Sequence, residues 1–351
     1  MSKTNLLNLT VEDLATLFLE LNEKKFRASQ IIKWIHQLGE TDFSKMSNLS
    51  LALRKYLLEN CTVQPPQIIQ EQIASDKTIK WLLRLEDKNY IETVFIPENN
   101  RGTLCISSQV GCPLGCLFCA TGALVFKRNL TLAEIIGQLW LAVRKLSSDK
   151  TTRTHVITNV VFMGMGEPLL NYVNVIKATQ LMLDDNAYGL SKYKVTVSTC
   201  GIIPEVLRLS KESEVALAIS LHAPNDELRS KLMPINKKYS LRELIAASDD
   251  HFKDTRRQVT IEYVLISGVN DQLLHAKQLI RLLSHGRYKV NLLHLSHITH
   301  ADFKPSQQDT VDAFRQVLLN AGINTITRKS KGEDIAAACG QLAIHKQALY
   351  C

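Results

Sequence analysis

From Gly102 onward the chain alternates short β-branched or apolar runs with amphipathic helical stretches, and no other feature of the sequence constrains the fold as tightly. The strand-like runs read TLCISSQV, NVVFMG, KVTVST, VALAISL, VTIEYVLI, KVNLLHL and finally TITRKS. Helical stretches such as LTLAEIIGQLWLAVRKL, SLRELIAASDDHF, LLHAKQLIRLL and DTVDAFRQVLLNAG lie between them. Six strand-then-helix units in succession call for parallel strands joined by right-handed crossovers. The expectation is an α/β fold, a partial (β/α)6 TIM-like barrel with its chemistry at the carboxyl ends of the strands.

The unusual polar residues fall at those ends. GCPLGCLFC follows the first barrel strand, GMGEP the second, STCG the third, SLHAPN the fourth and HLSHITH the sixth. Upstream, residues 1–62 read as a small helical accessory domain. Thr10 and Asp13 open LATLFLELNE as a capping box, ASQIIKWIHQL stops at Gly39, and LALRKYLLEN ends near Asn60. Residues 63–100 then read as a VQPPQ linker and a connecting β-hairpin, Ile79–Leu85 and Tyr90–Ile96 about the turn EDKN. Residues 101–351 form the barrel and a C-terminal segment. The chain has neither a basic head followed by an apolar run near Met1 nor a long uncharged apolar stretch, which predicts a soluble cytoplasmic protein.

Of the eight cysteines, Cys112, Cys116 and Cys119 crowd into GCPLGCLFC. A structural zinc site takes four ligands, and no second C-x-x-C is present. A thioredoxin-type pair leaves Cys112 unused. A [4Fe–4S] cluster held by three thiolates keeps one iron open to a small ligand, and Gly111 and Gly115 allow the loop to wrap it. The spacing favours that cluster over zinc or chance. In GMGEP, glycines permit close backbone approach and Glu167 can pair with an ammonium, although the segment alone also reads as a plain strand-to-helix turn.

The C-x-x-x-C-x-x-C loop, with Phe118 before its last cysteine, resembles the radical S-adenosylmethionine superfamily. RGTLCISSQVGCPLGCLFCATG, NVVFMGMGEPLLN, VALAISLHAPNDELRSKLMPINKKY, VTIEYVLISGVND and GEDIAAACGQLA are similar to the RlmN/Cfr family of RNA methyltransferases within it. The resemblance implies a [4Fe–4S] cluster on Cys112, Cys116 and Cys119, with S-adenosylmethionine on the open iron. It implies cofactor contacts from Gly166, Glu167, Ser198, Ser220, Leu221 and His222. Ser296 stands where the family has an asparagine, so its shorter side chain is expected to reach the cofactor through water or not at all.

The same resemblance assigns Cys339 as the thiol that receives a methyl group, Cys105 as the resolving thiol that forms a transient disulfide with it, and Glu92 as proton acceptor. The residues alone present Glu92 as an exposed hairpin carboxylate, Cys105 as a buried strand thiol and His222 as a satisfied core histidine. The implied reaction is methylation of adenosine C2 in 23S ribosomal RNA and tRNA, with two S-adenosylmethionine molecules per turnover. An electron donor such as flavodoxin would feed the cluster of a monomeric enzyme. C2 of adenine is electron-poor and offers no lone pair, so a covalent thiol relay divides a step that polar transfer cannot make. Alternatives are Cfr-like methylation at C8, or an iron–sulfur redox or RNA-binding protein without methylation.

The formal net charge is +8, with 42 basic and 34 acidic residues, a balance that favours a polyanion. Lys127, Arg128, Arg328, Lys329 and Lys331 flank the site as candidate phosphate contacts. His285, His294, His297 and His300 show no regular ligand spacing and read as loop or RNA-facing residues. Cys61, Cys200 and Cys351 carry no assigned role.

Overall fold

The computed structural model describes residues 3–147, 156–255, 257–284, 287–296 and 302–342. His285, His297, His300 and Cys351 lie outside them. Helices α1 (Val11–Glu20), α2 (Phe26–Ile32) and α3 (Leu51–Asn60) build the N-terminal part. Thr10 caps α1 through the reciprocal bonds with Asp13. The last turn of the second helix widens over Lys33–Gln37, where the Leu38 N–H reaches back to the Lys33 carbonyl, and Gly39 ends it at φ +63°.

One ten-stranded sheet carries the rest. Its strands are β1 (Gln67–Ile73), β2 (Ile79–Arg84), β3 (Tyr90–Glu98), β4 (Arg101–Cys105), β5 (Asn159–Phe162), β6 (Val195–Thr199), β7 (Ala216–Ser220), β8 (Val259–Leu265), β9 (Tyr288–His294) and β10 (Asn324–Arg328). They lie side by side in chain order, antiparallel from β1 to β4 and parallel from β4 to β10. Edge strands β1 and β10 do not pair with each other among the described residues, so the barrel is open. The hairpin strands β2 and β3 continue the barrel sheet, and β1 adds an edge strand that the sequence reading placed in the linker. QIIQEQI lacks an apolar alternation because both its faces are largely exposed, as suits a blunted sheet edge.

Helices α4 (Leu132–Leu146), α5 (Tyr172–Leu183), α6 (Ile203–Glu212), α7 (Asp226–Leu232), α8 (Leu241–Thr255), α9 (Leu273–Leu283) and α10 (Gln308–Asn320) are the crossovers and their extensions. α4 shows why they form. Thr131 and Glu134 make its capping box, Arg128 grips Glu134 at 2.7 and 2.8 Å, and Ile135, Ile136 and Leu139 seal its inner face. Each such side chain contributes about 1.5–3 kcal/mol on burial. The N-terminal helices dock on this layer. Trp140 donates to the Ile35 carbonyl at 2.8 Å, His36 meets the Tyr188 hydroxyl at 3.1 Å, and Lys177 pairs with Asp13 at 2.8 Å.

Candidate active site

Beyond β4 the chain turns at Gln109–Val110, which pairs with Arg128–Asn129 and closes the base of the cysteine loop. Gly111 makes this possible. Its φ is +77°, and a β-carbon there would lie 2.3 Å from the Val125 carbonyl oxygen. Cys116 is buried, while Cys112 and Cys119 are half-buried. Burial pushes the Cys112 thiol up to about 12 and raises that of Cys119. Cys200, at the end of β6, joins them: its thiol shares a hydrogen bond with Cys116, which with burial raises it well above the ordinary range. Among the described residues no three His, Cys, Asp or Glu side chains are arranged to hold one metal ion.

GMGEP lies directly behind this loop. Gly166 adopts φ +98°, and a β-carbon would sit 2.5 Å from that of Gln109. The Glu167 N–H donates to Gln109 Oε1 at 2.8 Å, and the two Glu167 carboxylate oxygens accept from the Leu169 and Cys200 N–H groups at 3.1 and 2.8 Å. Burial raises the Glu167 carboxyl despite these donors. Arg229, fully buried on α7, binds the carbonyls of Cys200, Ser220 and Leu221 at 2.7, 3.2 and 3.1 Å and so ties the ends of two strands together.

His222 adopts φ +57°, a strained backbone for a side chain of its size. Its Nδ1 accepts from the Val264 N–H at 3.0 Å, which assigns the proton to Nε2, and Phe118 of the cysteine loop meets its ring edge-on at 4.6 Å. Burial depresses the imidazole to about 3, so it is neutral. Asn270 fixes the turn by donating to the His222 and Val264 carbonyls at 2.8 and 2.7 Å.

A cavity of about 1230 Å³ opens across the carboxyl ends of the strands and into the barrel. Its wall brings together Cys112, Cys116, Cys119, Gly166, Glu167, Ser198, Ser220, His222 and Cys339, as well as Cys200. Cys105, Glu92, Leu221 and Ser296 are not part of it. The Leu221 N–H is engaged by the Glu262 carbonyl at 3.0 Å, and the Ser296 hydroxyl turns to Glu333 at 3.2 Å.

Glu262 and Asn291 are among the wall residues that were not singled out from the sequence. Ser220, Glu262 and Asn291 stand in register on β7, β8 and β9, and Asn291 donates to Glu262 Oε1 at 2.8 Å. Burial raises the Glu262 carboxyl, partly offset by Asn291, Arg328 and Lys289. The only signal was a carboxylate inside the otherwise apolar run VTIEYVL.

Cys105 ends β4, buried, in register with the wall residue Val161, and burial pushes its thiol up to about 12. Cys339 follows a short turn at Glu333–Ile335 and is reached by solvent through the cavity. Protein packed around the thiol nonetheless raises it, with Cys105, Glu262 and Cys119 near enough to add to the effect. Glu92 departs from the exposed carboxylate expected of a hairpin: it is 4% exposed and pairs with Lys80 at 3.2 Å, because its strand lies inside the sheet.

Arg328, Lys329, Lys331 and His294 line the cavity beside Arg101, Lys194 and Lys289. Lys127 and Arg128 do not, and Arg128 is held by Asp87 and Glu134 at 2.7 Å each.

Residues 4–63 match the ribosomal RNA large subunit methyltransferase N-terminal domain, and residues 106–280 match the radical SAM superfamily. Over 97% of its length the chain is 49% identical to the dual-specificity RNA methyltransferase RlmN of Psychrobacter arcticus, covering 88% of that protein. A radical SAM methyltransferase from Sphaerobacter thermophilus superposes with a TM-score of 0.89 at 40% identity, over 97% of this chain and 99% of its own. On the strength of its three loop cysteines, its open barrel and these likenesses along nearly its whole length, the chain belongs to the RlmN family of radical S-adenosylmethionine RNA methyltransferases.

Proposed function

We propose that this protein methylates C2 of adenosine in 23S ribosomal RNA and in tRNA, at the adenosine 3′ of the anticodon, through a methylated Cys339. The observation that carries the reading is that Cys339 lines the same cavity as Cys112, Cys116 and Cys119, with the buried Cys105 thiol near it behind the wall, from three separate parts of the chain. Membership of the superfamily brings a [4Fe–4S] cluster and S-adenosylmethionine. When bound, these supply the methyl group and the radical that activates it.

Cys112, Cys116 and Cys119 fit the cluster. They are three thiols on one glycine-turned loop at the wall of one cavity, a donor set that suits a cubane whose thiolates bind separate irons. Gly166 and Glu167 present close backbone and a carboxylate to the methionyl amine, with Ser198, Ser220 and neutral His222 on the facing wall. Cys339 accepts the methyl group and holds the carbon that joins adenine. Glu92 takes up a proton, and Cys105 releases the RNA by forming a disulfide with Cys339. The cationic rim around Arg328 and Lys329 suits phosphates flanking an extruded base.

A reductant such as flavodoxin, a monomeric state and a cytoplasmic location complete the proposal. Anaerobic reconstitution with S-adenosylmethionine, reductant and each RNA, followed by mass spectrometry of digested nucleosides, tests it. 2-Methyladenosine is expected. 8-Methyladenosine would move the protein to Cfr-like chemistry, and unmodified RNA with an intact cluster would leave a redox or RNA-binding protein.

A further inference from the structure

The relay described above makes no use of Lys80, yet this residue touches two of its parts. Lys80 lies on β2 with 4% of its surface exposed. Its ammonium meets Glu92 Oε1 at 3.2 Å and donates to the Ala336 carbonyl at 3.2 Å. An ammonium is strongly hydrated, so burying one is unfavourable unless its donors find partners, and here two acceptors on separate elements engage two of its three. Ala336 is three positions before Cys339 and holds φ +51°, a left-handed backbone that needs outside support in a residue with a side chain.

The rest of the β1–β2 hairpin grips the same segment. Asp76 accepts from the Gly332 N–H at 3.2 Å and pairs with Lys331 at 3.7 Å, and Asp334 accepts from the Ser75 N–H at 2.8 Å. These three contacts lie near the hairpin turn; Lys80 adds a buried charge further along β2. The Glu92 backbone is in turn bound to the cofactor loop, with its carbonyl accepting from Ser107 at 2.6 Å and its N–H directed at Met165 Sδ at 3.4 Å.

We propose that Lys80 is a positioning residue for the methyl relay: by bridging Glu92 to the Ala336 carbonyl it holds the segment bearing Cys339 at the cavity and couples that placement to the charge on Glu92. A proton taken by Glu92 removes half of the ion pair, and Lys80 is the group through which the Cys339 segment responds. The proposal rests on Cys339 as methyl carrier and Glu92 as proton acceptor.

The test is a double-mutant cycle on the full-length reconstituted protein, read as the rate of iodoacetamide labelling of the Cys339 peptide with an added free cysteine peptide as reference. Lys80→Met and Glu92→Gln should each raise the Cys339 rate several-fold, the double variant should raise it no further than the larger single, and Lys80→Arg should restore it. Additive effects, or single variants that label like the wild type, would overturn the bridge.

Lys80→Met leaves a buried carboxylate without its cation. If that variant does not fold, the charge-free double variant against Lys80→Arg decides: a raised rate in the first alone supports the bridge, and equal rates refute it. In turnover, Lys80→Met should lower kcat with KM for RNA within about twofold, the pattern of lost positioning. Full methylation by Cys339→Ala would sink the relay while leaving the labelling cycle interpretable, so the two failures are distinguishable.

Discussion

The Ala120 N–H donates to the Gly340 carbonyl at 2.7 Å, so the residue after the last loop cysteine is bound to the residue after Cys339. One step on, the Thr121 hydroxyl donates to the Leu342 carbonyl at 2.6 Å. The segment bearing Cys339, the proposed methyl carrier, is thereby fastened to the loop proposed to hold the cluster.

Besides Cys339, four cysteines line the cavity, and three of them are proposed to hold the cluster. Cys116→Ala should lose most of the iron and sulfide bound on anaerobic reconstitution. Cys200→Ala should retain wild-type iron and sulfide content, because a thiol within hydrogen-bond reach of Cys116 is too close to it to serve a separate iron. Iron analysis with electron paramagnetic resonance of the reduced cluster reads both; loss of the cluster in Cys200→Ala would make it a fourth ligand.

Gly166 tests the cofactor wall. A methyl group there meets Gln109 at 2.5 Å on a backbone with φ +98°, so Gly166→Ala should cost on the order of 1–3 kcal/mol and pull Glu167 away from Gln109 and Cys200. Weaker S-adenosylmethionine binding by calorimetry should accompany a lower melting temperature. Wild-type binding in Gly166→Ala would contradict the assignment.

Acid sensitivity follows from His36, which is buried between the N-terminal helices and the barrel, where its Nδ1 meets the Tyr188 hydroxyl. Burial depresses its imidazole from the ordinary 6.5 to about 3. The unfolded chain therefore binds a proton that the folded chain refuses, and stability falls as pH drops from 6.5 toward 3, by about 1 kcal/mol per pH unit. His222 adds in the same direction. Melting curves of wild type and His36→Gln should converge as pH falls, with the variant showing the shallower slope; parallel slopes would exclude His36 as a source.

Much of this was readable from the residues. The Thr10–Asp13 capping box and the third helix formed as their signals indicate, because local hydrogen bonding and apolar periodicity decide such elements. The three loop cysteines and GMGEP were conspicuous because their chemistry is rare in a core. Strand β1 was not conspicuous, since an exposed edge need not alternate. Glu262 and Lys80 were hidden for the opposite reason. Each is a charged residue within an apolar strand, and only the register shows that one faces the cavity and the other faces Glu92. Leu221 and Ser296 lie outside the cavity wall, and their N–H and hydroxyl groups are engaged within the fold.

The central claim is that Cys339 carries the methyl group, and the most direct measurement is the mass of the Cys339 peptide after anaerobic incubation of the reconstituted protein with S-adenosylmethionine, alongside RNA methylation by Cys339→Ala. The account predicts a singly methylated Cys339 in the wild type and no 2-methyladenosine from the variant. An unmodified Cys339 in an active enzyme, or full methylation by Cys339→Ala, would contradict it.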